Sequence, residues 1–398
     1  MHISPQFHLK FNISLYNLIV MENTINYLNG PNPQAAGIDP QAVQPLAELF
    51  DQMISDGLHP AAQMVVLKDG QILFDRASGT FDGQQVKPDT PFYCFSVTKA
   101  FTGVCVHKLI EEGKLSLDTR VAEVWPAFGK KGKQEITIRQ VFLHQAGIPA
   151  VFRYDHIPFW PSWNLITRRV ASLAPEFPPG SKMSYHAVTY GFILGEVVRR
   201  VSGLPIDQYF QQNFTQPLGM KNSWLKIPPA ELRRSPPILS GAKDQNNLVW
   251  LFNLRPIRKA LIPAASLHST AREMAIFYQM LVNYGSYAGR QYLKPETVEQ
   301  ATSLGFSGID EFSQRETLWG YGFHLGGRPT SEKEGESSFG ARSTQQTFGH
   351  MGNRSCMAWG DLHHRLVVTF TCNRLLDEET NRQRWIRLNN AVWDMLGV

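Results

Sequence analysis

After Gly30-Pro31-Asn32-Pro33, a linker signal, apolar positions recur at helical spacing: Val43, Leu46, Phe50, Met53 and Ile54 share one face. Asp39-Pro40 reads as an N-cap followed by proline at the first helical position, and Gly57 as the stop. Two apolar runs follow, Met64-Val65-Val66-Leu67 and Ile72-Leu73-Phe74, and Asp69-Gly70 between them predicts a β-hairpin. From about residue 96 to 300 the helical period dominates, between loops rich in Pro and Trp. Strands return at Met357-Ala358-Trp359 and at Leu366-Val367-Val368-Thr369-Phe370, joined by the turn Asp361-Leu362-His363-His364. A last helix carries Trp385, Leu388, Val392, Trp393 and Leu396 on one stripe. Strands at both ends with helices between predict an α+β chain whose sheet is assembled from both termini. The corresponding organisation is an extension over 1–37, a discontinuous sheet domain over 38–95 and 305–398, and a mostly helical domain over 96–304.

Composition sharpens this picture in a few places. With 24 Phe, 9 Trp and 12 Tyr among 398 residues, there is ample apolar surface for a sizeable core, and disorder is not the theme. The net charge is +5, but the basic pairs Arg168-Arg169, Arg199-Arg200 and Arg233-Arg234 are scattered, so no nucleic-acid partner is expected. No run of 18 apolar residues exists, so no transmembrane segment is expected. Residues 11–20 faintly resemble a signal core, but polar residues interrupt it, no small-x-small cleavage site follows, and Met21 offers a second start. Cys94, Cys105, Cys356 and Cys372 lie in apolar segments without metal-ligand spacing. They read as buried thiols in a reducing compartment, the cytoplasm.

Several chemistries are missing from the motif inventory: there is no G-x-S-x-G elbow, H-E-x-x-H, P-loop or G-x-G-x-x-G. S-x-x-K occurs three times. Ser223 to Lys226 runs into Ile227-Pro228-Pro229 and Ser240 to Lys243 follows Pro236-Pro237, so neither opens a helix. Ser96-Val97-Thr98-Lys99 follows Phe92-Tyr93-Cys94-Phe95 and opens a run with Phe101, Val104, Cys105 and Ile110 on its apolar side, ended at Gly113. Residues three apart on a helix are neighbours, so the Lys99 amine reaches the Ser96 hydroxyl. Burial and the positive end of the helix would both disfavour an ammonium there. Taken alone, the segment fits a nucleophile with its base and a helix cap with a solvated lysine equally well.

Two further segments bear on that choice. Pro178-Pro179-Gly180 leads through Ser181-Lys182-Met183-Ser184 to Tyr185, and Phe348-Gly349-His350-Met351-Gly352 precedes the C-terminal strands, its glycines allowing close backbone approach to a substrate. Over residues 38 to 398 the chain resembles the serine hydrolases related to class C β-lactamases, D-alanyl-D-alanine peptidases and family VIII carboxylesterases. Ser96 and Lys99 match the family's nucleophile and lysine, and Tyr185 its catalytic tyrosine. Leu143-His144-Gln145-Ala146-Gly147 resembles L-x-H-x-S-G, Gln216-Pro217-Leu218-Gly219-Met220 resembles D-P-L-G-M, and His350-Met351-Gly352 stands at K-T-G. The resemblance implies a β-lactamase-like fold, an antiparallel sheet covered by terminal helices beside a helical domain, with the active site in the cleft. It implies an oxyanion hole from the backbone N–H groups of Ser96 and Asn353, and substrate contacts from His350 and Gly352. Aromatics after residue 150, Phe152, Tyr154, Phe159, Trp160 and Trp163, would line an acyl or alcohol pocket or pack beneath a loop. His144 reads as a structural hydrogen-bonder.

The departures from the family pattern set the expected substrate. Tyr185-His186-Ala187 replaces Y-x-N and loses an amide, and His350 replaces a permanently charged lysine. Both favour small neutral esters or amides over β-lactams bearing a carboxylate. The expectation is a serine hydrolase acting through an acyl-enzyme, with a small-molecule ester or amide as partner and no metal or organic cofactor. The alternatives are a D-amino-acid peptidase or weak β-lactamase, an acyltransferase, and a non-catalytic scaffold.

Overall fold

The computed structural model describes residues 25–27, 29–149, 156–327 and 339–397. The signal-like stretch at 11–20 and Phe152, Arg153, Tyr154 and Asp155 lie outside the described residues. The first predicted helix is α1, Gln44–Ser55, preceded by a 3-10 turn that Asp39 caps through Gln41 N–H, and it buries Leu46, Phe50 and Met53. The predicted hairpin is β1, Ala61–Lys68, and β2, Gln71–Phe81, closing with Lys68 opposite Gln71. Asp69 and Gly70 both take positive φ, 52° and 76°, as a two-residue turn matching strand twist requires.

Nine strands among the described residues form one antiparallel sheet. After β1 and β2 come β3, Gln84–Gln85; β4, Phe306–Asp310; β5, Arg315–Trp319; and β6, His324–Leu325. The last are β7, Thr347–Gly352; β8, Cys356–Asp361; and β9, Leu366–Cys372. Their order is β3-β2-β1-β9-β8-β7-β6-β5-β4, so β1 lies directly against β9, with Val65 opposite Thr369. The segment Phe348 to Gly352 does not merely precede the C-terminal strands; it is β7 itself.

Both faces of this sheet are covered, which is why its inner strands read as continuous apolar runs. On one face α1 meets the last helix, Glu378–Met395, over Met64, Val66, Trp359, Val368 and Phe370, with Trp359 stacked on Trp393 at 5.5 Å. On the other face lie Val65, Leu67, Ala358 and Val367. There the middle of the chain contributes α2, Thr98–Glu111; α3, Thr189–Ser202; α4, Asn246–Asn253; and α5, Ala271–Val282. The terminal helix is therefore α6. The start of α5 is fastened to the sheet by Gln63, whose Oε1 accepts from Ala271 N–H at 2.9 Å, and by Thr369, whose hydroxyl donates to the Ala271 carbonyl at 2.8 Å. No helix among the described residues is long and apolar enough to cross a membrane.

Candidate active site

Ser96 sits in a 3-10 turn, Phe95–Val97, immediately before α2. The turn is strained, since Phe95 has φ 43°, a rare conformation for a bulky residue. Edge contacts to Tyr93 and Phe252, at 4.8 and 5.3 Å, hold its ring, and Cys94 N–H donates to Leu267 O at 2.7 Å. The nucleophile candidate is thus presented half-buried at the end of a fixed turn.

Lys99 follows on the first turn of α2 and is buried. Its Nζ has three acceptors: Ser96 Oγ at 3.1 Å, Ala187 O at 2.8 Å and Ala264 O at 3.1 Å. Among the described residues no carboxylate pairs with it, and burial pushes its pKa well below the usual lysine range. Tyr185 stands over it, with Nζ 4.7 Å from the ring centroid, and its side chain hydrogen-bonds Ser96. Burial raises the Tyr185 phenol, against a smaller lowering by the Ser96 hydrogen bond, so it stays protonated at neutral pH.

The segment bearing Tyr185 is extended, and its successive N–H groups are anchored to different loops. Ser184 N–H donates to His144 O and His186 N–H to His144 Nδ1, both at 3.0 Å. Between them Tyr185 N–H points the other way and donates to Asp310 Oδ1 at 2.9 Å. His144 serves both contacts from a left-handed backbone conformation, φ 55°. It is a structural hydrogen-bonder, as its place in the sequence suggested.

His350 lies on β7 across the cavity, its ring 6.2 Å from that of Tyr185. Its Nδ1–H donates to Met351 O at 2.7 Å, while Nε2 has no partner among the described residues. Burial, and then the nearby Lys99, hold its pKa well below that of an ordinary histidine. Asn353 follows at the turn between β7 and β8 with φ 26°, and among the described residues neither its N–H nor that of Ser96 makes a backbone hydrogen bond of the turns and loops. Ser96, Tyr185, His350 and Asn353 all line one cavity of about 1030 Å³.

Two expected contacts are not on its wall. Trp160 is buried one layer back, 6.0 Å from Phe252, which covers it and lines the cavity in its place. Gly352 faces protein rather than substrate. A Cβ there would lie 2.3 Å from both Cys94 O and Cys356 Sγ, so glycine is needed to bring β7 against the turn bearing Ser96.

The same strained turn, buried lysine, tyrosine and cleft-edge strand invite comparison with known proteins. A family model described as Beta-lactamase matches residues 46–392. The chain belongs to the beta-lactamase family. Within it, the chain is 28% identical over 351 residues to a Mycobacterium tuberculosis protein named Esterase/beta-lactamase LipL, covering 79% of this chain and 77% of that one. A solved penicillin-binding protein homologue from Caulobacter crescentus is 28% identical, covers 90% of this chain and 98% of its own, and superposes with a TM-score of 0.78. A solved family VIII carboxylesterase is 26% identical, with 89% and 97% covered and a TM-score of 0.77. This beta-lactamase-family chain is a serine hydrolase with the β-lactamase-like fold.

The sequence did not point to Ala264, Asp310, Phe252 or Trp319, all within this beta-lactamase-family site. Ala264 acts through its backbone, which no side-chain pattern encodes. The one clue was Gly191 and Gly195 on a single helix face, since small residues let backbones close up; a Cβ on Gly191 would stand 2.3 Å from Ala264 N.

Proposed function

We propose that the protein hydrolyses small neutral carboxylic esters in two steps through an acyl-enzyme on Ser96, as a family VIII-like carboxylesterase. The observation that carries the ester reading is His350, a neutral hydrogen-bond acceptor where relatives with K-T-G have a cation. A substrate carboxylate would find a neutral ring there instead of a cation. The arginines that line the cavity do not replace the missing charge, because Arg315 pairs with Glu378, Arg354 with Asp244 and Arg382 with Glu379. Near Ser96 the wall is apolar, made by Phe95, Val188, Leu248, Phe252 and Ala265, and suits an aliphatic acyl group.

In the proposed first step, neutral Lys99 gives its two N–H bonds to the Ala187 and Ala264 carbonyls and turns its lone pair to Ser96. Lys99 takes the Ser96 proton as Oγ bonds to the ester carbonyl carbon. The carbonyl oxygen becomes an oxyanion held by the N–H groups of Ser96 and Asn353, each such donor contributing about 2.7–4 kcal/mol. When the ester C–O bond breaks, Tyr185 passes a proton to the departing alkoxide and is replenished from Lys99. Water then attacks the acyl carbon and yields its proton to the same pair, and Ser96 leaves and is reprotonated. The four cysteines are free and buried, and we place this reaction in the cytoplasm.

The test is the initial rate on p-nitrophenyl butyrate for wild type and Ser96→Ala, with circular dichroism to confirm folding. We expect turnover to vanish with Ser96. Equal rates would overturn the assignment of the nucleophile, and an inert wild type would overturn the ester reading.

A further inference from the structure

Asp310 ends β4, and its carboxylate is buried, with 6% exposure and no cationic side chain paired to it among the described residues. Its charge is satisfied by backbone donors instead. Two are local, Phe312 N–H to Oδ1 at 3.1 Å and Ser313 N–H to Oδ2 at 3.2 Å, and these close the turn between β4 and β5. The third donor is Tyr185 N–H, 125 residues away in the chain. A turn cap needs only the local pair. The long-range bond is an additional contact, and others accompany it. Glu311 N–H donates to Met183 O at 3.0 Å, and Met183 and Asp310 form a parallel bridge. The Phe312 ring stands 6.1 Å from that of Tyr185, and the Trp319 ring of β5 stands 6.0 Å away on another side.

The β4–β5 hairpin therefore docks onto the segment bearing Tyr185 through a buried carboxylate and the contacts beside it. His144 holds the flanking N–H groups of residues 184 and 186, so the tyrosine backbone is gripped from opposite sides. A ring pivoting about a backbone fixed in this way keeps its hydroxyl beside Ser96 and Lys99. We propose that Asp310 is a positioning residue for the hydrolytic reaction, holding Tyr185 in register through its backbone N–H without touching substrate. This rests on the role given to Tyr185 above.

The experiment measures kcat and KM on p-nitrophenyl butyrate for wild type, Asp310→Ala, Asp310→Asn and Asp310→Glu. Each rate is normalised to Ser96 sites counted by fluorophosphonate labelling to completion. Misplacement of a reacting group by about 1 Å costs up to ~100-fold in rate. Accordingly, Asp310→Ala should lose roughly 10- to 100-fold in kcat per labelled site with KM changed little. Asp310→Asn keeps a carbonyl acceptor for Tyr185 N–H and should recover most of that loss. Asp310→Glu keeps the charge but moves it by one methylene, and should fall nearer to alanine. This variant decides the matter if Asp310→Ala does not fold. Wild-type kcat in Asp310→Ala or Asp310→Glu would overturn the inference alone, as would equal losses in Asp310→Asn and Asp310→Ala. A wild type that neither turns over the ester nor labels would overturn the ester reading and this inference together.

Discussion

The imidazole of His350 donates its one proton to the Met351 carbonyl, which leaves Nε2 a buried acceptor without a partner among the described residues, on a residue that lines the cavity. To become a cation it would have to take a proton in a buried place that already holds Lys99, and both factors oppose this. His350→Lys restores a charge that resists neutralisation better than an imidazole does. We expect the ratio of kcat/KM for a carboxylate-bearing ester to that for its methylated analogue to rise by about tenfold, the worth of ~1.4 kcal/mol. An unchanged ratio would refute the reading of this position. Ser96, Lys99, Tyr185 and His350 could be proposed from the sequence because their ordered motifs resemble those of a known family; residue type alone left the Ser96–Lys99 segment open between a nucleophile and a helix cap. Asp310 was not legible. An aspartate just before Glu311-Phe312-Ser313 closes a hairpin in the ordinary way, and nothing local announces that it also reaches Tyr185.

Between elements, the spacing around Lys99 depends on backbone meeting backbone. Thr102 of α2 donates to Pro263 O, Lys99 to Ala264 O, and Gly191 of α3 presses on the same two residues. A methyl at 191 would sit 2.4 Å from Pro263 C and 2.3 Å from Ala264 N, so the segment has to shift and carry the Ala264 carbonyl with it. Gly191→Ala should cost about 1–3 kcal/mol of stability, as overpacking does, and lower kcat as well. Urea denaturation and ester kinetics check the two effects separately, and a variant like wild type in both would show that this contact yields freely. Long elements with a clear period, α1, the β1–β2 hairpin, β8, β9 and α6, were readable from the sequence. The strands β3 to β7 were not, because they are short or carry glycines: Phe306-Ser307-Gly308-Ile309-Asp310 has a single buried side chain at its end. β7 has the further difficulty that its glycines looked like substrate clearance. They are packing clearance, with Gly349 against Ala358 and Trp359 and Gly352 against Cys94.

Across the whole molecule, burial leaves many histidines neutral. The pKa of His59 is lowered to about 3, and those of His107, His186 and His324 to about 4, chiefly by desolvation. His144, His268 and His350 are also pushed well below 6.5. In the unfolded chain each would titrate near 6.5. Between about pH 6.5 and 4 the unfolded state therefore binds protons that the folded state refuses, so stability is complete above this window and lost as pH falls through it. We expect the urea midpoint to be clearly lower at pH 5 than at pH 7.5, and equal midpoints would mean that these rings accept protons without disturbing the fold. The order of strands has a consequence of another kind, for how the chain is made. β1 pairs with β2 as soon as both exist, but its other edge belongs to β9, about 300 residues later. At ~5–20 residues per second a ribosome needs roughly 15–60 s to supply that partner. Throughout that interval a nascent chain displays Met64-Val65-Val66-Leu67 along an open strand edge, the kind of surface that recruits other chains. Yield in the cell should thus depend on what shields this early hairpin during synthesis, even though the finished sheet leaves neither edge of β1 open.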